Sequence, residues 1–179
     1  GNKFTYRYDF DENGIFFYLG TLGLTSPYRN PCEIGEVQVF SSSLGKGQLS
    51  DFVGRSMVNL RTMNEEFSFF GVDLGENRFL IPSCYSIKNR NAASHVMLCW
   101  RLEASVDNIN YHTIDNRIFA NKRNPEFHAS VEKERRLLCK PGCTSTWGIS
   151  KKVKETFPNG FRFFGLKQVD TNSSGGYTL

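Results

Sequence analysis

Trp100-Arg101-Leu102-Glu103-Ala104-Ser105-Val106-Asp107-Asn108, followed by Tyr111 to Phe119, is the stretch on which the fold turns. Residues 95–106 form the longest strand candidate in the chain. Asp107-Asn108 turns the chain, and residues 111–119 return it as a second strand, which together make a hairpin. Asn accepts positive φ, so Asn108 can stand where such a turn would ordinarily carry Gly. Upstream, residues 67–74 are strongly apolar and end in Asp73-Leu74-Gly75, which predicts a buried strand. Downstream, residues 144–149 and 162–169 predict two more strands, with a short helix over 151–157 between them and Ser150 as its cap.

The flanks follow the same grammar. Phe4, Tyr6, Tyr8 and Phe10 alternate with Thr5, Arg7 and Asp9, a period of two that predicts a half-buried strand over 4–10. Asp11-Glu12-Asn13-Gly14 is a turn, and residues 15–19 are expected to follow as a second strand. Residues 25–31 hold Pro27 and Pro31 and read as a loop. Val37 and Val39 mark a short strand, residues 41–47 a Ser/Gly loop. Residues 78–88 predict a strand interrupted at Pro82, and residues 89–94 a polar loop. Residues 120–138 are polar and charged, contain Pro125, and have room for one helical turn near 131–138. Lys140-Pro141-Gly142 is a turn signal, and Tyr177-Thr178-Leu179 reads as a strand beginning. Short strands at intervals of roughly 8–12 residues, without βαβ alternation, predict an all-β sandwich or barrel made by one domain over 1–179.

Composition agrees. The chain has 179 residues, 39% hydrophobic, with 16 Phe and 16 Gly, enough to build a core without disulfides or metal. The net charge of +4 is a small surplus, and basic residues are mixed with acids, as in Glu132-Lys133-Glu134-Arg135-Arg136. A nucleic-acid surface would have to rest on Lys151, Lys152, Lys154 and Arg162, where no aromatics interleave. No run of about 18 apolar residues exists to span a membrane. The five cysteines, Cys32, Cys84, Cys99, Cys139 and Cys143, are odd in number and irregularly spaced, which argues for a reducing compartment and so for an intracellular, cytoplasmic protein. Gly1-Asn2-Lys3 does not open a signal peptide.

Several segments together resemble a known family. Tyr8-Asp9-Phe10-Asp11-Glu12-Asn13-Gly14, then Tyr18-Leu19-Gly20-Thr21 and Arg29-Asn30-Pro31, are similar to the opening of a discoidin-like domain, also called F5/8 type C or galactose-binding-like. Phe70-Gly71-Val72-Asp73-Leu74-Gly75 resembles that family's aromatic-x-x-Asp-Leu-Gly strand. Residues 100–108 resemble its Ser-x-Asp-Gly hairpin, with Asn108 in place of Gly. Lys140-Pro141-Gly142-Cys143-Thr144-Ser145-Thr146-Trp147 and Phe161-Arg162-Phe163-Phe164 resemble its late strands. The likeness is to the intracellular versions found in HECT-type ubiquitin ligases and BTB-domain adaptors. It implies a jelly-roll β-sandwich of the galactose-binding-like type. It also implies a non-catalytic protein-interaction module of a larger protein, with a carbohydrate-binding module as the alternative. The resemblance further implies a closing strand beyond Leu179, and residues 120–138 are longer than its pattern. Some members hold a structural cation near a terminal loop.

The residues themselves carry little catalytic chemistry. His95, His112 and His128 are the only histidines, and no Gly-x-Ser-x-Gly elbow is present, so no enzyme is expected. Cys139-x-x-x-Cys143 with His128 lacks the paired spacing of a structural zinc site, and Asp9, Asp11 and Glu12 lack the spacing of a calcium loop. Gly45-Lys46-Gly47 lacks the order of a phosphate loop. No cofactor and no metal site is assigned.

Two polar loops carry recognition chemistry. Residues 55–66 hold Arg55, Asn59, Arg61, Asn64, Glu65 and Glu66; residues 88–95 hold Lys88, Asn89, Arg90, Asn91 and His95. Arg offers a planar fork and Asn both donates and accepts, which suits a peptide or acidic protein segment. Arg55, Arg61, Asn64, Asn89, Arg90, Asn91 and His95 are therefore the expected binding residues. The competing reading makes Arg55 and Arg61 internal struts on Asp51, Glu65 or Glu66. Trp100 and Trp147 are expected in the core; a glycan site would expose an aromatic platform instead. Asn172-Ser173-Ser174 is a glycosylation sequon that would fit a secreted setting.

Overall fold

The computed structural model describes residues 1–119 and 141–179. The helical turn expected near 131–138, and the Cys139 and His128 part of the metal reading, lie outside the described residues.

Among the described residues, seven strands form two antiparallel sheets. They are β1 (Gln38–Ser41), β2 (Phe69–Asp73), β3 (Cys84–Lys88), β4 (Cys99–Ser105), β5 (Tyr111–Ile118), β6 (Thr144–Gly148) and β7 (Phe163–Gln168). One sheet has the order β1-β2-β7-β4-β5, the other is β3-β6. Helix α1 spans Ile15–Gly20, helix α2 Lys151–Thr156, and a 3₁₀ turn Leu49–Val53. The expected hairpin is present: β4 and β5 pair from Cys99 with Ile118 to Ser105 with Tyr111, with a bulge at Leu102/Glu103. Its turn is built by Asp107, whose carboxylate accepts from the backbone of Ile109 and Asn110, while Asn108 takes φ 62.

The all-β sandwich follows from the alternation along β4. Trp100, Leu102 and Ala104 are buried while Arg101 is exposed. Leu102 and Ala104 pack with Val72, Leu74, Ile114, Phe161 and Phe164. Trp100 packs with Val96, Leu98, Phe119, Trp147 and Leu166. The two sheets are joined across this second cluster. The Trp100 and Trp147 rings meet edge to face at 4.9 Å, and Trp100 Nε1 donates to Tyr85 Oη at 2.8 Å. Tyr85 Oη in turn donates to Asp115 at 2.6 Å, and burial beside that carboxylate holds the phenol well above its ordinary range. Gly160 (φ 73) closes the far end, because a Cβ there would meet the Leu80 carbonyl at 2.7 Å where Leu80 pairs with Phe161.

Five expectations are corrected. Residues 4–10 are not a strand: no described strand pairs with their backbone, and they meet β6 only through side chains, Thr146 Oγ1 donating to Asp9 at 2.6 Å. Phe4 instead packs on the edge of Tyr18, the Tyr6 hydroxyl donates to Asp9, and Phe10 turns the chain at φ 58. Residues 15–19 are helical: a short apolar run has no readable period, and the Gly14 carbonyl accepts from the Tyr18 N–H to start the turn. The strands expected over 78–88 and 95–106 begin late, at Cys84 and Cys99. Pro82 removes a ladder donor, and His95 sits at φ 57, outside strand geometry. Tyr177 to Leu179 is not a strand, although the Leu179 carbonyl accepts from Thr62 N–H at 3.0 Å.

One ion pair gives the fold an acid limit. Arg162 grips Asp73 with two bonds, Nε to Oδ1 at 2.7 Å and Nη2 to Oδ2 at 2.8 Å. The guanidinium, helped by the Gly75 N–H, holds the Asp73 carboxyl below its ordinary range against the opposing effect of burial. A depressed folded-state value means this contribution is present above the unfolded value and is lost as pH falls through the folded one. The urea midpoint is therefore expected to drop below about pH 4. Asp73→Asn, less stable at pH 7, is expected to lose less than wild type between pH 7 and pH 3.

Candidate functional site

In the five-stranded sheet β1, β5 and β7 end where β2 and β4 begin, so one end of the sheet collects residues 42–68, the approach to β4 and residues 169–179. All seven expected binding residues lie on the segments that reach this end. The opposite end carries residues 74–83, the 106–110 turn and the approach to β7.

The segment after β7 ties the two polar loops together. Ser173 exchanges bonds with Val96: the Ser173 N–H donates to Val96 O at 2.9 Å and the Val96 N–H to Ser173 Oγ at 2.8 Å. The His95 N–H donates to Ser174 Oγ at 3.0 Å. On the other loop, the Tyr177 N–H donates to Asn64 Oδ1 at 2.7 Å and the Leu179 N–H to Thr62 Oγ1 at 3.0 Å. Asn172 organises the segment from inside. Its Oδ1 accepts from Ser174 and Gly176, and its Nδ2 donates to Thr178 O at 2.9 Å. Asn172 is only 3% exposed, and its amide nitrogen is already bonded to Thr178 O, so a glycan there would break this arrangement.

The expected residues divide by role. Arg61 and Asn91 are exposed; Arg61 joins the scaffold through its backbone, which pairs with Lys46. Asn64 holds Tyr177, and Asn89 donates to Cys143 Sγ at 3.2 Å. Arg90 folds its own loop: Nη2 donates to Ser94 O at 3.1 Å, Ser94 Oγ at 2.9 Å and His95 Nδ1 at 3.2 Å. Its carbonyl accepts from Ala92 and Gly142. Arg90 and His95 are thus bound up in loop geometry, while Arg61, Asn64, Asn91 and His95 are all exposed.

Arg55 is a strut, but not on an acid. Its guanidinium donates to Phe10 O at 2.7 Å and Asp11 O at 3.2 Å, and lies against the rings of Phe10, Phe17 and Tyr28. Asp51 accepts instead from the Gln48 N–H. Arg55 pins residues 10–11 and α1 to the sandwich. Arg55→Ala is expected to cost about 1–2 kcal/mol in urea denaturation, with Arg55→Lys recovering less than half, because an ammonium cannot fork to two carbonyls while stacked.

Sequence reasoning missed residues 170–179 as an organiser and Phe67 as a presented aromatic. The Asn-Ser-Ser-Gly-Gly run was a visible loop signal, but its partners 77 to 117 residues away were not. Met57, Met63 and Phe67 also show 49%, 54% and 57% exposure on residues 42–68, an apolar component the polar pattern hid. Among the described residues no group of three or more His, Cys, Asp or Glu is placed to hold a metal. Arg162 is committed to Asp73, so it does not extend the lysines of α2 into a four-cation patch. Trp100 and Trp147 are 0% and 8% exposed, so neither indole forms a sugar platform.

The fold is the galactose-binding-like β-sandwich of discoidin-type domains. It is shared with the CBM32-5 module of CpGH89 from Clostridium perfringens, solved in complex with GalNAc-beta-1,3-galactose, at a TM-score of 0.55 and 12% identity, over 80% of this chain and 91% of that one. A family 32 module from C. perfringens NanJ, in complex with galactose, gives 0.52 and 10% identity over 80% and 88%. In sequence, the chain is 29% identical to E3 ubiquitin-protein ligase Ufd4 of Drosophila melanogaster over 178 residues, 96% of this chain. It is equally identical to E3 ubiquitin-protein ligase hecd-1 of Caenorhabditis elegans over 173 residues, 93% of this chain. The chain spans 6% of the length of each of these ligases. No family model matches it.

Proposed function

We propose that this chain is a non-catalytic protein-interaction module of a larger intracellular ubiquitin ligase, and that it holds a substrate or partner through the stapled loops at one end of its sandwich. The observation that carries the reading is the convergence of residues 55–66 and 88–96 on the 172–179 segment. Rigid strands below and fixed loops above are the general arrangement of a binding face. Exposed Arg61 and Asn91, together with exposed Met57, Met63 and Phe67, supply the mixed polar and apolar chemistry that protein partners use. The likeness to segments of two ubiquitin ligases supports the setting.

The test is affinity capture from cell lysate with the 179-residue chain and with Arg61→Glu/Met63→Asp, both checked for folding by circular dichroism. A partner enriched by wild type and lost from the variant is the expected outcome. A partner held equally by both would move the site away from this end. The carbohydrate alternative draws on the fold likeness, and its missing indole platform weighs against it. Specific binding on a glycan array, with no protein captured, would replace the protein-interaction reading with it.

A further inference from the structure

Ser26-Pro27-Tyr28-Arg29, on the segment between α1 and β1, holds the only Ser/Thr–Pro pair in the chain. We propose that Ser26 is a phosphorylation site for a proline-directed kinase that also reads the basic side chain of Arg29. The inference stands apart from the protein-interaction reading above.

The chemistry fits position by position. Ser26 is exposed, and among the described residues its hydroxyl takes part in no hydrogen bond. The neighbouring hydroxyl is committed, because Thr25 Oγ1 donates to Leu22 O at 2.8 Å. Pro27 is exposed, and it biases Ser26 away from helical backbone towards the extended form that a kinase cleft accepts. A cleft with no acceptor for the N–H of the following residue selects proline there, since any other residue would bury an unsatisfied donor. Arg29 is exposed and among the described residues forms no ion pair, so its guanidinium is open to an anionic subsite.

The residue between them anchors the segment. The Tyr28 ring stacks on Phe17 at 5.4 Å, its hydroxyl oxygen is buried, and the Arg29 N–H donates to Gly20 O at 2.9 Å. Tyr28 thus turns inward while Ser26, Pro27 and Arg29 face solvent, which presents the three recognised positions together. In the transfer, Ser26 Oγ bonds to the γ-phosphorus of ATP and the bond from that phosphorus to the β,γ-bridging oxygen breaks. ADP leaves, and the hydroxyl proton passes to the carboxylate base of the kinase. The product adds a charge of about −1.5 to −2 beside the Thr21 carbonyl, which accepts from the Thr25 and Ser26 N–H groups. Phosphate oxygens compete with that carbonyl for the same donors, so the 21–26 turn loosens.

The test is incubation of the folded 179-residue chain with a cyclin-dependent kinase and ATP, with the product mapped by mass spectrometry. A single phosphate, on Ser26, is expected. Ser26→Ala should abolish it and Ser26→Thr should retain it. Arg29→Ala should lower kcat/KM about tenfold, the loss of one charge-assisted contact, with the melting temperature unchanged. In the phosphorylated chain, hydrogen exchange should speed up at residues 21–26. No phosphate on the folded chain, phosphate only on chain unfolded by heat, a phosphate that Ser26→Ala leaves in place, or an unchanged rate with Arg29→Ala would overturn the proposal.

Discussion

Trp100→Ala is expected to destabilise the protein by about 3–5 kcal/mol, the largest effect of any single side-chain truncation considered. The indole is completely buried and meets both Trp147 and Phe119, at 4.9 and 5.2 Å. Its loss opens a cavity at the point where the β3-β6 sheet is held against the larger sheet. A second cost adds to the cavity. Without the Nε1 donor, Tyr85 loses one partner and keeps its bond to Asp115, a carboxylate that also takes Arg117 Nε at 2.9 Å. Arg117 reaches on to the Gly148 carbonyl at 2.9 Å, so the chain of bonds runs from β4 through β3 and β5 to β6. Trp100→Phe removes the donor and part of the ring but keeps most of the volume, so it is expected to cost about 1–3 kcal/mol. Chemical denaturation of both variants separates the packing and hydrogen-bond contributions. A Trp100→Ala cost under 1 kcal/mol would mean that the two sheets are not joined here.

Asn172→Ala is expected to cost about 2–3 kcal/mol, and its effect should be local in a way that the tryptophan change is not. The side chain satisfies the N–H groups of Ser174 and Gly176 and the Thr178 carbonyl, and at 3% exposure water cannot take over those bonds without opening the segment. If residues 172–179 loosen, the bonds they lend to Thr62, Asn64, His95 and Val96 loosen too. Hydrogen exchange should therefore speed up at residues 62–64, 95–96 and 173–179, while β4, β5 and β7 keep their protection. Uniform acceleration across the strands would show that the segment belongs to the core instead of organising the loops.

How much of this was legible in the sequence depends on the range of the interactions involved. The β4-β5 hairpin was readable because alternation, turn chemistry and return strand all lie within one stretch, and Asp107 caps its own turn. Helix α2 was readable for the same reason, with Ser150 accepting from the Lys152 N–H two residues on. The N-terminal stretch misled because the period of two in Phe4, Tyr6, Tyr8 and Phe10 is real, but no described strand pairs with its backbone. The run Ile15-Phe16-Phe17-Tyr18-Leu19 is apolar at every position, so periodicity could not separate helix from strand.

The site was legible in its ingredients and not in its arrangement. Polarity pointed to both loops, and both reach the same end of the five-stranded sheet. Polarity could not show that Arg55 and Arg90 are occupied by carbonyls and by a neighbouring histidine. Nor could it show that the exposed apolar residues Met57, Met63 and Phe67 share the loop that carries Arg61.

The measurement that bears most directly on the interaction face is site-specific photo-crosslinking of the 179-residue chain in cell lysate. Benzoylphenylalanine would be placed at Arg61 or Asn91 on the stapled loops, and at Ile109, which is 80% exposed on the opposite hairpin tip. Cross-links to a distinct protein from positions 61 and 91, and none from 109, are the expected result. Cross-links from 109 alone would contradict the account and place the binding face at the other end of the sandwich.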